Sequence, residues 1–270
     1  MWNYTETGSG RPLVLLHGIG MSNAAWAPVM PYLSATRRVI AFDTAGFGLT
    51  PSLPDGVLPT VPNLVDALCE SLREMRIGVP VDFAGNSLGG WMALEAATRG
   101  VARTVVAISP AGLWQKRPPL HVPYVLKGMR FGARHFTGAL KAAVSTPWIR
   151  ECAFAVPLSV GSRRMPARDA RRSVDDLATC QAFDETFART RSPFAGGDIA
   201  VPVTVAFGDR DWILPGWSRC GGALPRHTRW NEPRGWGHVP MWVDPAGVSR
   251  LILDGTACES KINPQRASDR

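Results

Sequence analysis

Short runs of apolar residues recur along the chain at the length of β-strands. The runs fall at residues 13–16, 39–42, 81–84, 104–108 and 203–207. They are continuous rather than alternating, which is typical of strands buried on both faces of a parallel sheet. Between some of these runs, apolar residues recur at helical spacing, as do Leu64, Leu68, Leu72 and Met75. The pattern predicts an α/β fold in which a mostly parallel central sheet carries helices on both faces.

Between residues 111 and 197 the strand pattern stops. This stretch is rich in arginine and proline and has helix-like patches at residues 135–144 and 170–188. Residues 202–207 then resume the strand series. We therefore expect a core formed by residues 1–110 and 198–256, with residues 111–197 as a mostly helical insertion over the sheet. The polar residues 257–270 are expected to form a flexible tail.

The positive charge of the chain is concentrated in the same insertion. Residues 111–197 contain 14 of the 30 Lys+Arg and 6 of the 22 Asp+Glu, which leaves 16 of each for the remainder and accounts for the net charge of +8. No helix-turn-helix, zinc-finger or RNP signature accompanies these residues, so nucleic acid is not an expected partner. We interpret the charge as a solvated helix surface. The alternative is electrostatic steering of an anionic substrate or an acidic lipid surface.

The composition is that of a soluble globular protein. The chain is 45% hydrophobic and 19% charged, which suits the core of one large α/β domain. It opens without a signal-peptide pattern, and no apolar segment approaches membrane-spanning length. The five cysteines are odd in number and lack metal-ligand spacing, which favours reduced thiols. We expect a cytoplasmic protein without stable membrane insertion, and the oligomeric state stays open.

The candidate chemistry begins at Ser87, which lies between Gly85 and Gly89. This G-x-S-x-G pattern follows the strand run at residues 81–84 and opens a helical run at residues 88–97. A sharp strand-to-helix turn forces strained backbone angles on its central residue and tolerates only small neighbours, which is the context that gives the pattern its meaning. A serine in that position is a nucleophile only if a base, an acid and oxyanion donors are also supplied.

Histidine is the residue suited to act as the base at neutral pH, and the chain has five: His17, His121, His135, His227 and His238. Active groups of parallel sheets gather at the carboxyl ends of strands. A last strand at residues 228–232 would place His238 beyond its carboxyl end and His227 before its start. For the acid, Asp209 and Asp211 both follow the strand run at residues 203–207, and spacing alone leaves them as alternatives.

The oxyanion donors are expected from two backbone N–H groups. One belongs to Leu88, directly after the serine. The second is expected from the loop after the first apolar run, where Gly18 and Gly20 free the backbone around Ile19. The aromatic residues of the insertion that could face a substrate are Trp114, Phe131 and Phe136.

Together these segments resemble the α/β-hydrolase superfamily over residues 4–253. The matching motifs are HGIG (17–20), DTAGFG (43–48), GNSLGG (85–90), GDRDWILP (208–215) and GWGHVPM (235–241). The resemblance implies Ser87 as nucleophile, His238 as base and the N–H groups of Ile19 and Leu88 as oxyanion hole. It implies Asp211 as the acid, since the pattern G-x-x-D-x-x-x-P fits Asp211 rather than Asp209. It also implies that residues 111–197 form a helical cap, or lid.

The chain departs from the family in two places. Its N-terminal hairpin is shortened. In the related C–C bond hydrolases of ring cleavage a tryptophan usually follows the catalytic histidine, whereas Val239 follows His238 here. This difference weakens the hypothesis that the chain is a C–C bond hydrolase.

The function that the resemblance implies is that of a serine esterase or lipase-like carboxylesterase. It would cleave a small-molecule carboxylic ester through an acyl-enzyme intermediate, with no metal or organic cofactor. The alternatives are a C–C bond hydrolase acting on a diketone with the same triad, and a non-catalytic small-molecule receptor. Dehalogenases and epoxide hydrolases of this fold use a carboxylate at the elbow, where this chain has Ser87.

Overall fold

A central sheet of seven strands organises the computed structural model, which describes residues 1–257. The strands are β1 (Tyr4–Thr7), β2 (Pro12–Leu16), β3 (Arg38–Phe42), β4 (Val81–Asn86), β5 (Ala102–Ile108), β6 (Val203–Ala206) and β7 (Arg229–Asn231). Their order in the sheet is β1-β3-β2-β4-β5-β6-β7. The β1 strand is antiparallel to β3, and the other neighbours pair in parallel. This confirms the predicted fold class.

Helices cover both faces of the sheet, as the continuous apolar strands predict. The helices are α1 (Met30–Leu33), α2 (Val61–Glu74), α3 (Leu88–Thr98), α4 (His121–His135), α5 (Thr137–Ser145), α6 (Pro147–Phe154), α7 (Ala167–Thr179), α8 (Phe183–Arg189) and α9 (Pro245–Thr256). Alternate strand residues enter two separate cores: Val14 and Phe42 pack in the core with α2 and α3, and Leu13 and Ala41 pack in the core with α1 and α9.

All α-helices from α4 to α8 lie between β5 and β6, in the insertion, and no strand interrupts them. The helices α4 to α7 share a small core of their own, which includes Ala133, Val144, Phe154 and Val174. The helix-like patch at residues 135–144 corresponds to α5 and the last residue of α4, and the patch at residues 170–188 divides into α7 and α8. The first breaks at Phe136, and the second breaks after α7, where the backbone N–H groups of residues 181 and 182 donate to the carbonyl of Gly46.

Two of the insertion's arginines are buried and serve the packing of its helices. Arg130 donates to the carbonyl oxygens of Leu177 and Cys180 (Nη2 to O, 2.5 Å) at the end of α7. Arg150 donates through Nη1 to the carbonyl of Val144 at 2.6 Å, in the last turn of α5. Carbonyl groups at helix C-termini lack intrahelical donors and favour positive charge. Part of the charge interpreted from sequence as solvated surface is therefore structural.

At the amino end of the sheet, one buried carboxylate joins three arginines. Asp82, on β4, is fully buried and receives hydrogen bonds from Arg37, from Arg11 Nε at 3.1 Å and from Arg103 Nη2 at 2.7 Å. Arg11 and Arg103 also donate to the carbonyl of Thr256 at 3.1 and 2.8 Å. The network fastens the end of α9 to the sheet, at the end opposite to Ser87.

The four cysteines within residues 1–257 are free, and Cys258 lies outside the described residues together with the expected tail from residue 258 onward. Burial raises the pKa of the Cys180 thiol to about 11. We expect a maleimide or disulfide reagent at pH 8 to modify the exposed Cys152 in the native protein and to reach Cys180 only after denaturation, because the thiolate is the reactive form. Peptide mapping after timed labelling checks this, and labelling of Cys180 as fast as Cys152 would contradict it.

Candidate active site

Ser87 occupies a strained turn between β4 and α3. Its backbone angles are φ 53° and ψ −113°, outside the range that a non-glycine residue prefers. The flanking glycines leave no room for a side chain: a Cβ on Gly85 would lie 2.1 Å from the carbonyl oxygen of Gly89, and a Cβ on Gly89 would lie 2.1 Å from that of Leu16. The strand–turn–helix context predicted for the G-x-S-x-G pattern is therefore present, and strain of this kind marks functional sites.

Hydrogen bonds hold this turn in place. The N–H of Ser87 donates to the carbonyl of Ile108 at 3.0 Å, and the carbonyl of Ser87 accepts from the N–H groups of Trp91 and Ala111. Asn86 is fully buried, and its Nδ2 donates to the carbonyl of His238 at 2.8 Å. Asn86 thus ties the loop of His238 to the serine turn. Sequence reasoning missed this contact, although Asn86 stands within the GNSLGG motif.

His238 and Asp211 form a buried pair. Nδ1 of His238 lies 3.2 Å from Oδ1 and 3.1 Å from Oδ2 of Asp211. The backbone N–H groups of Ile213 and Leu214 donate to the same carboxylate at 3.0 and 2.9 Å. Asp209 is exposed and accepts instead from a backbone N–H, that of residue 235. Of the two candidate acids, the structure places Asp211 against His238.

Burial by itself would raise the pKa of Asp211. The facing His238 and the hydrogen bonds from His238 and from the N–H of Leu214 outweigh burial, and the pKa lies below the ordinary carboxyl value. A lowered pKa in the folded state means that the ionised carboxylate stabilises the protein above the unfolded-state pKa, and that this contribution is lost as the pH falls through the lower folded-state value.

Asp211→Asn is therefore expected to lower the free energy of unfolding at pH 7, and the difference from the wild type should narrow as the pH falls below about 4. Urea unfolding at a series of pH values measures this difference. Asp209→Asn is the control, since Asp209 is exposed and does not contact His238, and it should change the free energy of unfolding at pH 7 less than Asp211→Asn does. If the stability difference between the wild type and Asp211→Asn grows as the pH falls, the lowered pKa of Asp211 would be contradicted.

His17 positions the loop that carries Ile19. Its Nε2 accepts from the N–H of Thr44 at 3.0 Å, so the ring is neutral with its proton on Nδ1, which lies 2.7 Å from the carbonyl of Gly18. Burial lowers the pKa of His17, which favours this neutral form. Gly18 packs on the serine turn, where a Cβ would lie 3.3 Å from Cβ of Ser87. His17 therefore holds the loop in place through hydrogen bonds.

Ser87, Leu88, Ile19 and His238 all line one cavity of about 300 Å³. Leu88 opens α3, and the first N–H groups of a helix have no acceptor within it. The opposite wall comes from the insertion and is mostly apolar; it includes Val122, Leu126, Met129, Leu140, Val144 and Phe154. A hydroxyl and an imidazole backed by a buried carboxylate thus open on the same apolar space, which is the arrangement that nucleophilic acyl transfer needs.

Charged residues form one strip of the cavity wall along α7, namely Asp169, Arg172 and Asp176. Asp176 Oδ2 accepts from the Ser22 hydroxyl at 2.5 Å, which links α7 to the loop after β2. Burial raises the pKa of Asp176. Within residues 1–257, Arg172 is the one arginine of the lining, no lysine accompanies it, and the lining also holds the carboxylates Asp169 and Asp176. The expected alternative of an arginine-lined cleft for an anionic substrate is therefore not what this wall presents.

The aromatic residues divide between cavity and surface. Trp114 and Trp242 line the cavity. Phe131 and Phe136 are 58% exposed and lie outside the cavity lining, so the expectation that they face the substrate is wrong. Helical periodicity does not say which face of α4 turns toward the sheet.

Comparison with known proteins agrees with this geometry. A family model described as "Alpha/beta hydrolase family" matches residues 13–251. The chain belongs to the α/β-hydrolase family. It is 31% identical over 179 residues to epoxide hydrolase EphH of Mycobacterium tuberculosis, covering 62% of this α/β-hydrolase and 82% of that protein.

One further relative and one solved structure are similar to the chain. The chain is 43% identical over 100 residues to 2-hydroxy-6-oxo-2,4-heptadienoate hydrolase of Pseudomonas putida, a stretch that covers 36% of each protein. The structure of an esterase from Thermogutta terrifontis superposes with a TM-score of 0.69 at 19% identity, covering 93% of this α/β-hydrolase and 91% of that chain. The last likeness concerns the fold alone.

Residues 1–257 contain neither a metal-binding cluster nor a membrane-spanning helix. No group of three or more His, Cys, Asp or Glu side chains is arranged to hold a metal ion in this part of the chain. None of the helices described there combines the length and the apolar character that a membrane crossing requires.

Proposed function

We propose that this α/β-hydrolase is a serine hydrolase that cleaves a carboxylic ester through an acyl-enzyme intermediate. The observation that carries the proposal is the strained position of Ser87 on the same cavity as His238, whose ring is held by the buried Asp211. A serine hydroxyl at such a turn is exposed to substrate and needs a neighbouring base to become nucleophilic.

In the proposed reaction, His238 takes the proton of Ser87 as the hydroxyl oxygen attacks the ester carbonyl. Asp211 keeps the ring oriented and stabilises the imidazolium that forms. The N–H groups of Ile19 and Leu88 receive the negative charge of the tetrahedral oxyanion. The C–O bond then breaks and the alcohol leaves with the proton from His238. Water attacks the acyl group on Ser87 with His238 again as base, which releases the acid and restores the hydroxyl.

We propose that the insertion covers the active site. The core would comprise residues 1–110 and 198–256 and carry the triad, and residues 111–197 would act as a cap. Support comes from the cavity lining: the triad residues Ser87 and His238 form one side, and α4 and α7 supply much of the other. Because that wall is mostly apolar, an ester with an apolar acyl or alcohol group fits the space.

Cleavage of a C–C bond in a diketone is the second candidate. The local identity to the P. putida hydrolase favours it. Val239 after His238, in place of the usual tryptophan, counts against it. The name of the M. tuberculosis relative raises epoxide opening as a third possibility. Epoxide hydrolases of this fold attack with a carboxylate, which position 87 does not supply.

Initial rates on p-nitrophenyl esters, from acetate to long acyl chains, test the proposal. Wild type and Ser87→Ala are purified side by side, and both are assayed also on a vinylogous diketone of the ring-cleavage type. We expect ester turnover that disappears in Ser87→Ala. Turnover of the diketone with none of the esters would select the second candidate, and binding of small esters without turnover would select a receptor.

The apolar wall of the cavity predicts how acyl-chain preference changes with its volume. Leu126→Trp, on the cavity face of α4, is expected to lower kcat/KM for long acyl chains by about tenfold while changing the value for acetate less than about twofold, since it removes space far from the ester group. Leu120→Trp is the matched control, because Leu120 is exposed and lies outside the lining. Equal losses for acetate and long chains would contradict the cavity assignment.

A further inference from the structure

The α4 helix presents two contrasting faces. Val122, Leu126 and Met129 point to the cavity. The opposite side is exposed and yet carries large apolar residues: Leu120 is 84% exposed, Tyr124 78% and Phe131 58%. A helix on a globular protein ordinarily turns its polar side to water. We call the exposed residues Leu120, Tyr124, Lys127, Phe131, Arg134 and Phe136 the α4 surface.

The aromatic residues of the α4 surface form a cluster rather than isolated side chains. The Phe131 ring lies 4.3 Å from that of His135 and 6.3 Å from that of Phe136, measured between centroids. Phe136 itself is 58% exposed. Single exposed apolar side chains are ordinary, whereas a contiguous patch of them marks a binding surface.

Positive charge surrounds this patch. Residues 111–150 contain seven Lys+Arg and no Asp or Glu. Arg130 and Arg150 are buried on carbonyl groups, and Lys141 pairs with Asp175 at 2.7 Å. The remaining four cations, Lys116, Arg117, Lys127 and Arg134, are exposed. The local field therefore attracts anions to a surface that also offers apolar rings.

The α4 surface contains an open depression. Its lining includes the cations Lys127 and Arg191 and the aromatic residues Tyr124 and Phe131. Gly128 lines both this depression and the catalytic cavity. A molecule seated in the depression is thus separated from the cavity by the backbone of one helix.

We propose that the α4 surface docks the protein on an anionic lipid membrane. Phosphate groups of the lipids would contact Lys127, Arg134 and Arg191, and the rings of Tyr124 and Phe131 would enter the headgroup region. Amphipathic helices with basic and aromatic side chains bind in the headgroup region of a membrane. Lysine and arginine side chains near the membrane surface add affinity for anionic lipids. The docking is peripheral, and it does not require the protein to be an esterase.

Sedimentation with vesicles tests the docking. All proteins carry Ser87→Ala so that lipid hydrolysis plays no part. The probes are vesicles of equal parts phosphatidylglycerol and phosphatidylcholine, and vesicles of phosphatidylcholine alone. The variant combines Lys127→Glu with Phe131→Ser. The control combines Arg250→Glu with Tyr32→Ser, an equal change of charge and aromatic content at exposed residues of α9 and α1, on the other side of the molecule.

We expect binding to the anionic vesicles that weakens at high salt, and a loss of about tenfold or more in the α4 variant with binding by the control unchanged. Neutral vesicles should bind less. The proposal is overturned if the parent protein does not bind anionic vesicles, or if the α4 variant binds as well as the control. A dimer in sedimentation equilibrium that the α4 variant abolishes, without vesicle binding, would assign the surface to a second copy of the chain.

The same substitutions in the protein that keeps Ser87 verify folding. Lys127 and Phe131 lie outside the cavity lining, so turnover of a short soluble ester should match that of the wild type. An absence of ester turnover in all proteins would refute the proposed function and leave the vesicle result intact.

Discussion

His238→Ala is expected to lower kcat for ester hydrolysis by about a million-fold, as far as Ser87→Ala does, because neither residue of such a pair works alone. The double variant should be no slower than either single variant. Progress curves over days at high enzyme concentration, on the best ester of the series, measure the residual rate.

His227→Ala is the matched control for this prediction. His227 is exposed, and its Nε2 contacts the carbonyl oxygen of Val201 at 2.9 Å, away from the cavity lining. Its loss should leave kcat within about twofold, as surface substitutions usually do. A His238→Ala protein that keeps more than about a hundredth of the rate would remove His238 from the role of base.

Asp82→Ala is expected to lower the free energy of unfolding by about 3–5 kcal/mol. The physical reason is that removal of this buried carboxylate leaves Arg37, itself buried, facing Arg11 and Arg103 without a counter-charge. The expected loss is a large part of the 5–15 kcal/mol that ordinarily stabilises a domain. Urea unfolding followed by tryptophan fluorescence measures it.

The control for Asp82 is an exposed aspartate that also pairs with an arginine. Asp66 is 65% exposed and contacts Arg99, and Asp66→Ala should cost less than about 1 kcal/mol. If Asp82→Ala does not fold, Arg11→Gln tests the same network at a half-exposed member, and its loss of unfolding free energy should exceed that of Asp66→Ala. Equal stability of Asp82→Ala and Asp66→Ala would contradict the role given to the buried network.

The sequence predicts the sheet well for a physical reason. Strands buried on both faces are apolar at most positions, so β2, β3, β4, β5 and β6 stand out as continuous runs. The β1 strand, with sequence YTET, lies at the sheet edge with its two central residues exposed, and no apolar run marks it. An edge strand has a neighbouring strand on one side only and is less covered by helices, so its side chains can be polar.

The sequence predicts those parts of the candidate site where the backbone conformation allows only certain residue types. The turn at Ser87 has room only for glycine at positions 85 and 89, and the G-x-S-x-G pattern shows both glycines in the sequence. The choice between Asp209 and Asp211 depends on which carboxylate reaches the imidazole, and spacing alone could not decide it. The contact from Asn86 to the His238 carbonyl joins residues 152 positions apart, and no local pattern encodes such a distance.

The insertion shows the limit of sequence reasoning most clearly. Periodicity predicts a mostly helical insertion, but its two helix-like patches, residues 135–144 and 170–188, leave out most of α4 and all of α6. The orientation of the helices is not predicted, because α4 carries apolar residues on both its cavity side and its exposed side. Leu126 and Phe131 look alike in the pattern, but one lines the cavity and the other faces water. Only packing against the core distinguishes them.

Covalent trapping of the nucleophile tests the central claim most directly. The native protein is treated with a p-nitrophenyl alkylphosphonate, which an activated serine attacks at phosphorus with release of p-nitrophenol, and the product is analysed by intact mass and peptide mapping. We predict a single phosphonyl group on Ser87, with labelling strongly slowed in His238→Ala. Labelling at another residue, or none in a folded protein, would contradict the account.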